Sequence, residues 1–219
     1  SMRHGPFAPS RRAFIEFIVL HTLYVTQFLF IYKFTNQSAT ESQDLLHLYW
    51  DFELAIPFIP EFFIVYYSVN VMIFLSLFYL EVFEMRRFFC TLILATVVGA
   101  IFFYVLPCAC GYVRVIPDYE PWKTILTGFY ELDEPHNLVP SLHIAYTTTT
   151  LLYLREKATP RWYWGFHIWT LAIYFSVILT HQHHLIDIVT GLALSVFVYQ
   201  IVKRVAAQGH PLLNPPAES

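Results

Sequence analysis

The chain has 219 residues, of which 57% are hydrophobic, 19% aromatic and only 13% charged, where roughly 25% charged is usual in a soluble domain. A globule of this size cannot hide so much apolar surface, and 7 Gly with 3 Cys argue against collagen-like and disulfide-scaffold classes. The balance of 13 basic and 16 acidic residues, a net charge of −3, argues against a nucleic-acid partner, which leaves a protein that lives in a bilayer.

Ser1 ahead of Met2 reads as a cloning remnant, and residues 1–12 as a cytoplasmic tail. Crossing a bilayer takes about 20 mostly apolar residues, and six stretches qualify. Ala13–Tyr32 comes first, interrupted only by Glu16; it is too long for a signal peptide and lacks a small-residue cleavage site. Asp44–Glu53 (DLLHLYWDFE) reads as an amphipathic helix on the outer membrane surface, ending before Pro57 and Pro60. Phe62–Leu80 and Phe88–Leu106 contain no Asp, Glu, Lys or Arg. From Pro107 to about Asn137 runs a loop without periodic pattern, of a length that usually marks function or disorder. Leu138–Leu154 is the weakest span, holding His143 and the run Thr147 to Thr150, whose hydroxyls can bond back to helix carbonyls. Trp162–Thr180 is uncharged, and Leu185–Val202 carries only Asp187. These last two, so tightly joined, form an antiparallel hairpin. Residues 13–204 thus read as one six-span catalytic domain and 205–219 as a flexible tail.

The expected fold class is all-α, a polytopic bundle of six transmembrane helices with both termini cytoplasmic. That orientation puts Arg3, Arg11, Arg12, Arg86, Arg87, Arg155, Lys157, Arg161, Lys203 and Arg204 inside and only Lys33, Arg114 and Lys123 outside, as the positive-inside rule asks. Of the three cysteines, Cys90 reads as packing within the third span. Cys108 and Cys110 lie outside, too close in sequence for an unstrained disulfide.

Ten histidines are present. His136, His143, His181, His183 and His184 all fall at the outer membrane boundary, where ionisable side chains usually mark a site. In His136-Asn-Leu-Val-Pro-Ser-Leu-His143, Ser141 is a helix N-cap that leaves His143 in the first turn, beside free backbone N–H groups and the positive dipole end. In His183-His-Leu-Ile-Asp187, His183 stands four residues before Asp187, so on a helix both side chains share one face. A carboxylate on one ring nitrogen fixes the tautomer and makes the other nitrogen the better base or nucleophile.

Pro140-Ser-Leu-His143 followed by His183-x-x-x-Asp187 resembles the type 2 phosphatidic acid phosphatase superfamily, which includes haloperoxidase relatives. Ser176 and His183 also keep that family's spacing of seven. The resemblance implies a covalent mechanism on a membrane phospholipid or an isoprenoid or sphingolipid phosphate, without metal or other cofactor. In it His183 attacks phosphorus, Asp187 orients His183, and His143 protonates the leaving alcohol and then activates the acceptor. It further implies an inner or plasma membrane, with the site facing periplasm or lumen and backbone N–H donors near Ser141 meeting the substrate; Asn137, Arg114 and Lys123 are read as further substrate contacts from the outer segments.

Two departures narrow this. The Arg that follows the motif serine is Val177 here, and the family's Lys-(six residues)-Arg-Pro element is missing, leaving Arg114 and Lys123 as the outer-loop cations. Fewer cations disfavour a doubly charged phosphomonoester. The run Leu179-Thr-His-Gln-His-His-Leu-Ile-Asp187 is similar to sphingomyelin and inositol-phosphorylceramide synthases, which implies headgroup transfer as an alternative to hydrolysis. From a different class, His181, His183 and His184 together with His136, His143 and Asp187 allow a metal-binding reading, and a non-catalytic scaffold or transporter is the third.

Overall fold

The computed structural model describes residues 5–40, 45–132 and 136–215. The regular elements among the described residues are all helices, and Leu46 pairs with Cys108 in an isolated parallel bridge. The elements are α1 (Arg11–Thr40), α2 (Phe63–Tyr67), α3 (Val69–Leu75), α4 (Val82–Val105), α5 (Trp122–Leu132), α6 (Leu142–Leu154), α7 (Pro160–Leu179) and α8 (Leu185–Ala207). Five stretches are long and apolar enough to cross a membrane: Arg11–Ser38, Pro60–Phe78, which contains α2 and α3, Val82–Val105, Pro160–Leu179 and Leu185–Ala207.

The remaining expected span is α6, which has 13 residues and so extends only about 20 Å. Its composition is explained by its position. Ile144, Ala145, Tyr146 and the four threonines 147–150 are all buried, because α3, α4, α7 and α8 pack around it. A central helix meets protein on every side, so it needs no lipophilic face. Thr147, Thr148 and Thr150 donate to the carbonyls of His143, Ile144 and Tyr146, as the threonine run leads one to expect. By contrast α1 leans mainly on α4 and leaves Phe14, Ile18, Leu23, Leu29 and Phe30 exposed. Its Glu16 is answered by Arg86 of α4, which removes the cost of the one charge in that span.

Pro60–Phe78 is broken at Ser68, whose hydroxyl donates to the Val65 carbonyl at 2.5 Å and accepts from the Trp169 indole at 2.7 Å. A side chain engaged with the i−3 carbonyl tightens the helix there and separates α2 from α3.

Two outer segments differ from the sequence expectation. Asp44 lies outside the described residues; within 45–56 only Asp51–Ala55 is helical, as a 3-10 turn. The reason is Glu53, expected on a polar surface face but completely buried. Its carboxylate accepts from Trp50 N at 3.0 Å, Leu185 N at 2.8 Å and His184 Nδ1 at 3.3 Å, so the segment is folded onto the start of α8 through its polar side chain. The long loop contains the amphipathic helix α5, whose Trp122 and Leu126 are buried against Phe63, Tyr66 and Val177. Pro121 at the helix start and apolar residues at 122, 126 and 129 were the available signal. At the other end of the bundle, α8 runs past residue 205 to Ala207, and Leu213 is buried while Arg87 donates to the Leu213 carbonyl and the Asn214 amide oxygen. Close packing therefore continues to Asn214, into the stretch expected to be loose. Cys90 faces outward, and none of the three cysteines forms a disulfide.

The α6–α8 crossing brings the two histidine motifs together, and it depends on Gly191. A Cβ there would stand 2.5 Å from the Ser141 carbonyl oxygen and 3.0 Å from Ile144 Cβ. Small residues permit such close helix approach in membranes. The contact is reinforced by Ser141 N donating to the Asp187 carbonyl at 3.1 Å.

Gly191→Ala is expected to lower the thermal midpoint in detergent, by roughly 1–3 kcal/mol of stability, as overpacking against fixed backbone does. Gly165→Ala on α7, where a Cβ meets nothing within 4 Å, should be neutral or slightly stabilising; equal behaviour of the two variants would contradict the close-approach argument. Glu53→Ala leaves three donors unpaired, of which the buried His184 ring N–H alone is worth about 1–3 kcal/mol, and should unfold the α7–α8 turn below the wild-type midpoint, with Glu53→Gln intermediate. An unchanged midpoint in tryptophan fluorescence would show that Glu53 does not hold the turn.

Candidate active site

Five residues, Thr180 to His184, reverse the chain between α7 and α8. The turn is closed by backbone bonds: Thr180 N donates to Ser176 O, His181 N to Ile178 O, and both Gln182 N and His183 N to Val177 O. His181 adopts φ 55°, left-handed backbone that costs a non-glycine residue about 1–2 kcal/mol. Its Nε2–H donates to the Ile56 carbonyl at 2.9 Å, which holds it in that conformation. The His184 ring is clamped between Tyr49 and Tyr112, with centroids 4.6 and 4.4 Å away, and Tyr112 in turn stacks on His181 at 4.0 Å. Gly111 N–H donates to His184 Nε2 at 3.1 Å, which puts the imidazole proton on Nδ1, facing Glu53. Burial holds the His184 and His181 pKa values below the ordinary 6.5, so both rings are neutral scaffolding at neutral pH.

This scaffold presents His183. Asp187, in the first turn of α8, accepts from His184 N at 2.9 Å and from His183 Nδ1–H at 3.1 Å, both on Oδ2. The carboxylate is therefore both the cap of α8 and the support of the imidazole. His183 and Asp187 are 6% and 1% exposed, so this pair is shielded from bulk water. His143 approaches from the first turn of α6, where Ser141 accepts from Ile144 N at 3.4 Å as N-cap. The His143 and His183 rings lie 6.3 Å apart, centroid to centroid. His143 Nδ1 is engaged by the Tyr66 hydroxyl at 3.1 Å, and the Tyr66 ring stacks on it at 3.9 Å.

Both imidazoles line one cavity of about 370 Å³. Its polar end is completed by Arg114, Asn137 and Gln182; its other end runs between α1 and α3 along Tyr24, Val25, Phe28, Leu29 and Val69. Arg114 is the one Lys or Arg lining it among the described residues, stacked over the Tyr130 ring at 4.6 Å and donating to the Tyr130 carbonyl at 3.4 Å. Asn137 donates to the Tyr32 carbonyl at 3.1 Å and so ties this end to α1.

Two residues expected as substrate contacts are elsewhere. Lys123 is exposed and pairs with Asp118 at 2.7 Å, away from the cavity. Ser141 is fully buried, does not line the cavity, and spends its amide on Asp187 O and its hydroxyl on the cap. Ser176 likewise donates within α7, to Ile173 O, and Val177 lies in an apolar cluster with Phe63 and Leu126, so no cation replaces the missing arginine there. Of the histidines in the metal-binding reading, His181 and His184 are turned to Ile56, Glu53 and Gly111, and among the described residues no three His, Cys, Asp or Glu side chains are arranged to hold a metal ion. Glu53 and Tyr66 were missed in the sequence, because each reaches the site from a segment with no motif of its own; Gln182 sits inside the second histidine motif, where the flanking histidines drew the reading instead.

A family model described as the PAP2 superfamily matches residues 53–201, more than half of the chain, a segment that opens at Glu53 and closes within α8. No curated protein matches the chain. The matched segment contains both histidine motifs, Asp187 and the helices that carry them, and the chain belongs to the type 2 phosphatidic acid phosphatase (PAP2) superfamily, whose members are phosphatases and phosphotransferases.

Proposed function

We propose that the protein is an integral-membrane lipid phosphatase or phosphotransferase that cleaves a lipid phosphoester through a phosphohistidine on His183. The observation that carries this reading is the pair of imidazoles on one cavity, 6.3 Å apart, with only His183 backed by a carboxylate. Asp187 on Nδ1 leaves Nε2 as the nucleophilic nitrogen. As the Nε2–P bond forms, the P–O bond to the leaving alcohol breaks and that oxygen takes a proton from His143. In the second half, water or a lipid hydroxyl gives its proton to His143 and attacks phosphorus, and the P–N bond breaks to regenerate His183. Such a reaction asks mainly for positioning and for charge near the equatorial oxygens. Arg114 is the cation suited to that task, with Asn137 and Gln182 as polar neighbours, and the chemistry needs no metal.

A cavity with one cation suits a singly charged phosphodiester better than a phosphomonoester. This favours transfer of a phospho-headgroup to a lipid alcohol, as in the sphingolipid-type reading, with the apolar arm along α1 receiving the chains. We further propose that α6 completes a sixth crossing within the bundle, with both termini cytoplasmic. Arg87, Lys157 and Lys203 gather at the end of the bundle away from the histidines, which by the positive-inside rule supports a site on the periplasmic or lumenal side.

Purified protein incubated with a phospholipid panel, with and without ceramide or diacylglycerol, should yield by mass spectrometry a new phospho-headgroup lipid that depends on the acceptor. Release of inorganic phosphate alone would favour hydrolysis. His183→Ala and His143→Ala are expected to abolish turnover while the protein still folds, and Asp187→Asn to reduce it by about 10⁴-fold, by analogy with triads whose carboxylate sets the tautomer. Full activity in His183→Ala would overturn the proposal.

A further inference from the structure

We infer that Tyr66 is the positioning residue for His143, fixing which ring nitrogen exchanges the proton and leaving that proton easy to release. The inference rests on the phosphoryl-transfer reading above and adds a residue to it. Tyr66 arrives from α2, 77 residues upstream of His143, just before the break at Ser68. Its ring is held on several sides: T-shaped against Phe63 at 5.6 Å and Tyr67 at 5.4 Å, and packed with Leu126 of α5 and Val177 of α7. It is 5% exposed and lies nearly parallel to the imidazole, 3.9 Å away and tilted by 21°. The hydroxyl therefore has a fixed place, 3.1 Å from Nδ1.

The chemical consequence follows from proton counting. In the first half-reaction His143 begins as the imidazolium, with protons on both nitrogens, and gives the Nε2 proton to the departing oxygen. It is left neutral with its proton on Nδ1, and in the second half-reaction Nε2 takes the proton of the incoming O–H. In both states Nδ1 carries a proton that the Tyr66 oxygen accepts. The phenol is unchanged throughout, and all exchange is confined to Nε2.

The contrast with His183 explains why a phenol stands here. A carboxylate on Nδ1 raises the basicity of the other nitrogen, which suits a nucleophile; on the acid it would hold the proton back. The two imidazoles thus carry different supports, Asp187 for the attacking nitrogen and Tyr66 for the proton-donating one. That division follows the rule that acid and base assignments show up as a pair of titratable groups in unlike environments.

The test compares two phosphodiester donors that share one lipid portion and differ in the leaving group, an alkyl alcohol or p-nitrophenol. Leaving-group release is followed in single turnovers with enzyme in excess. An alkoxide needs the acid and a nitrophenolate does not, so Tyr66→Phe, which keeps the ring stack, should slow the alkyl donor by roughly 10- to 100-fold and the nitrophenyl donor by less than about threefold. A fluorinated tyrosine at position 66 preserves shape and weakens the acceptor oxygen; it should give a smaller loss confined to the alkyl donor. Equal slowing of both donors would make Tyr66 a packing residue only and overturn the inference. If the wild type releases neither leaving group in a His183-dependent way, the phosphoryl-transfer reading fails and the role of Tyr66 with it.

Discussion

Everything at this site hangs on one oxygen atom. Oδ2 of Asp187 receives the amide of His184 and the ring of His183, so the bond that starts α8 is also the bond that aims the proposed nucleophile. A carboxylate nearly sealed from water is tolerable only with such donors around it, and the first turn of a helix adds its dipole. The backbone carbonyl of the same residue accepts from Ser141, which draws in the first turn of α6 and with it His143. Capping, helix crossing and the placing of the two histidines are therefore one arrangement, and the absence of a side chain at Gly191 is what lets it close.

Around this centre sits a second tier made largely of aromatic rings. Tyr49, His184, Tyr112 and His181 form a continuous stack that fastens two outer segments to the α7–α8 turn, with the Glu53 carboxylate beneath it. Loops over a membrane site would otherwise be the most mobile part of such a protein. Here a buried acid and stacked rings make the roof of the cavity as well packed as its walls. The opposite side of the cavity, toward α1, is different: α1 rests mainly on α4 and contributes apolar side chains, which suits a lipid entering from the bilayer.

The helical class and most of the spans were legible because a bilayer imposes long apolar runs. The histidine motifs were legible because His-x-x-x-Asp and a Ser cap are local patterns. What escaped was non-local. Glu53 looked like one more acid of a surface helix, and only α8, more than 130 residues on, gives it a reason to be buried. Tyr66 is one of 15 tyrosines, without a spacing to single it out. Lys123 was selected for charge alone, yet Asp118 five residues earlier claims it. The threonine-rich α6 looked weak because its composition was judged against lipid, whereas its neighbours are protein.

The central claim is a covalent bond between phosphorus and His183, and the most direct measurement is its capture. In His143→Ala the first step with a p-nitrophenyl phosphodiester donor needs no acid, while the second lacks its base, so the intermediate should accumulate. Quenched in alkali, digested and read by mass spectrometry, the peptide containing residues 181–187 should carry an acid-labile phospholipid-derived mass on His183. A leaving-group burst of one per enzyme with no mass on that peptide, or the mass on another side chain, would contradict the account.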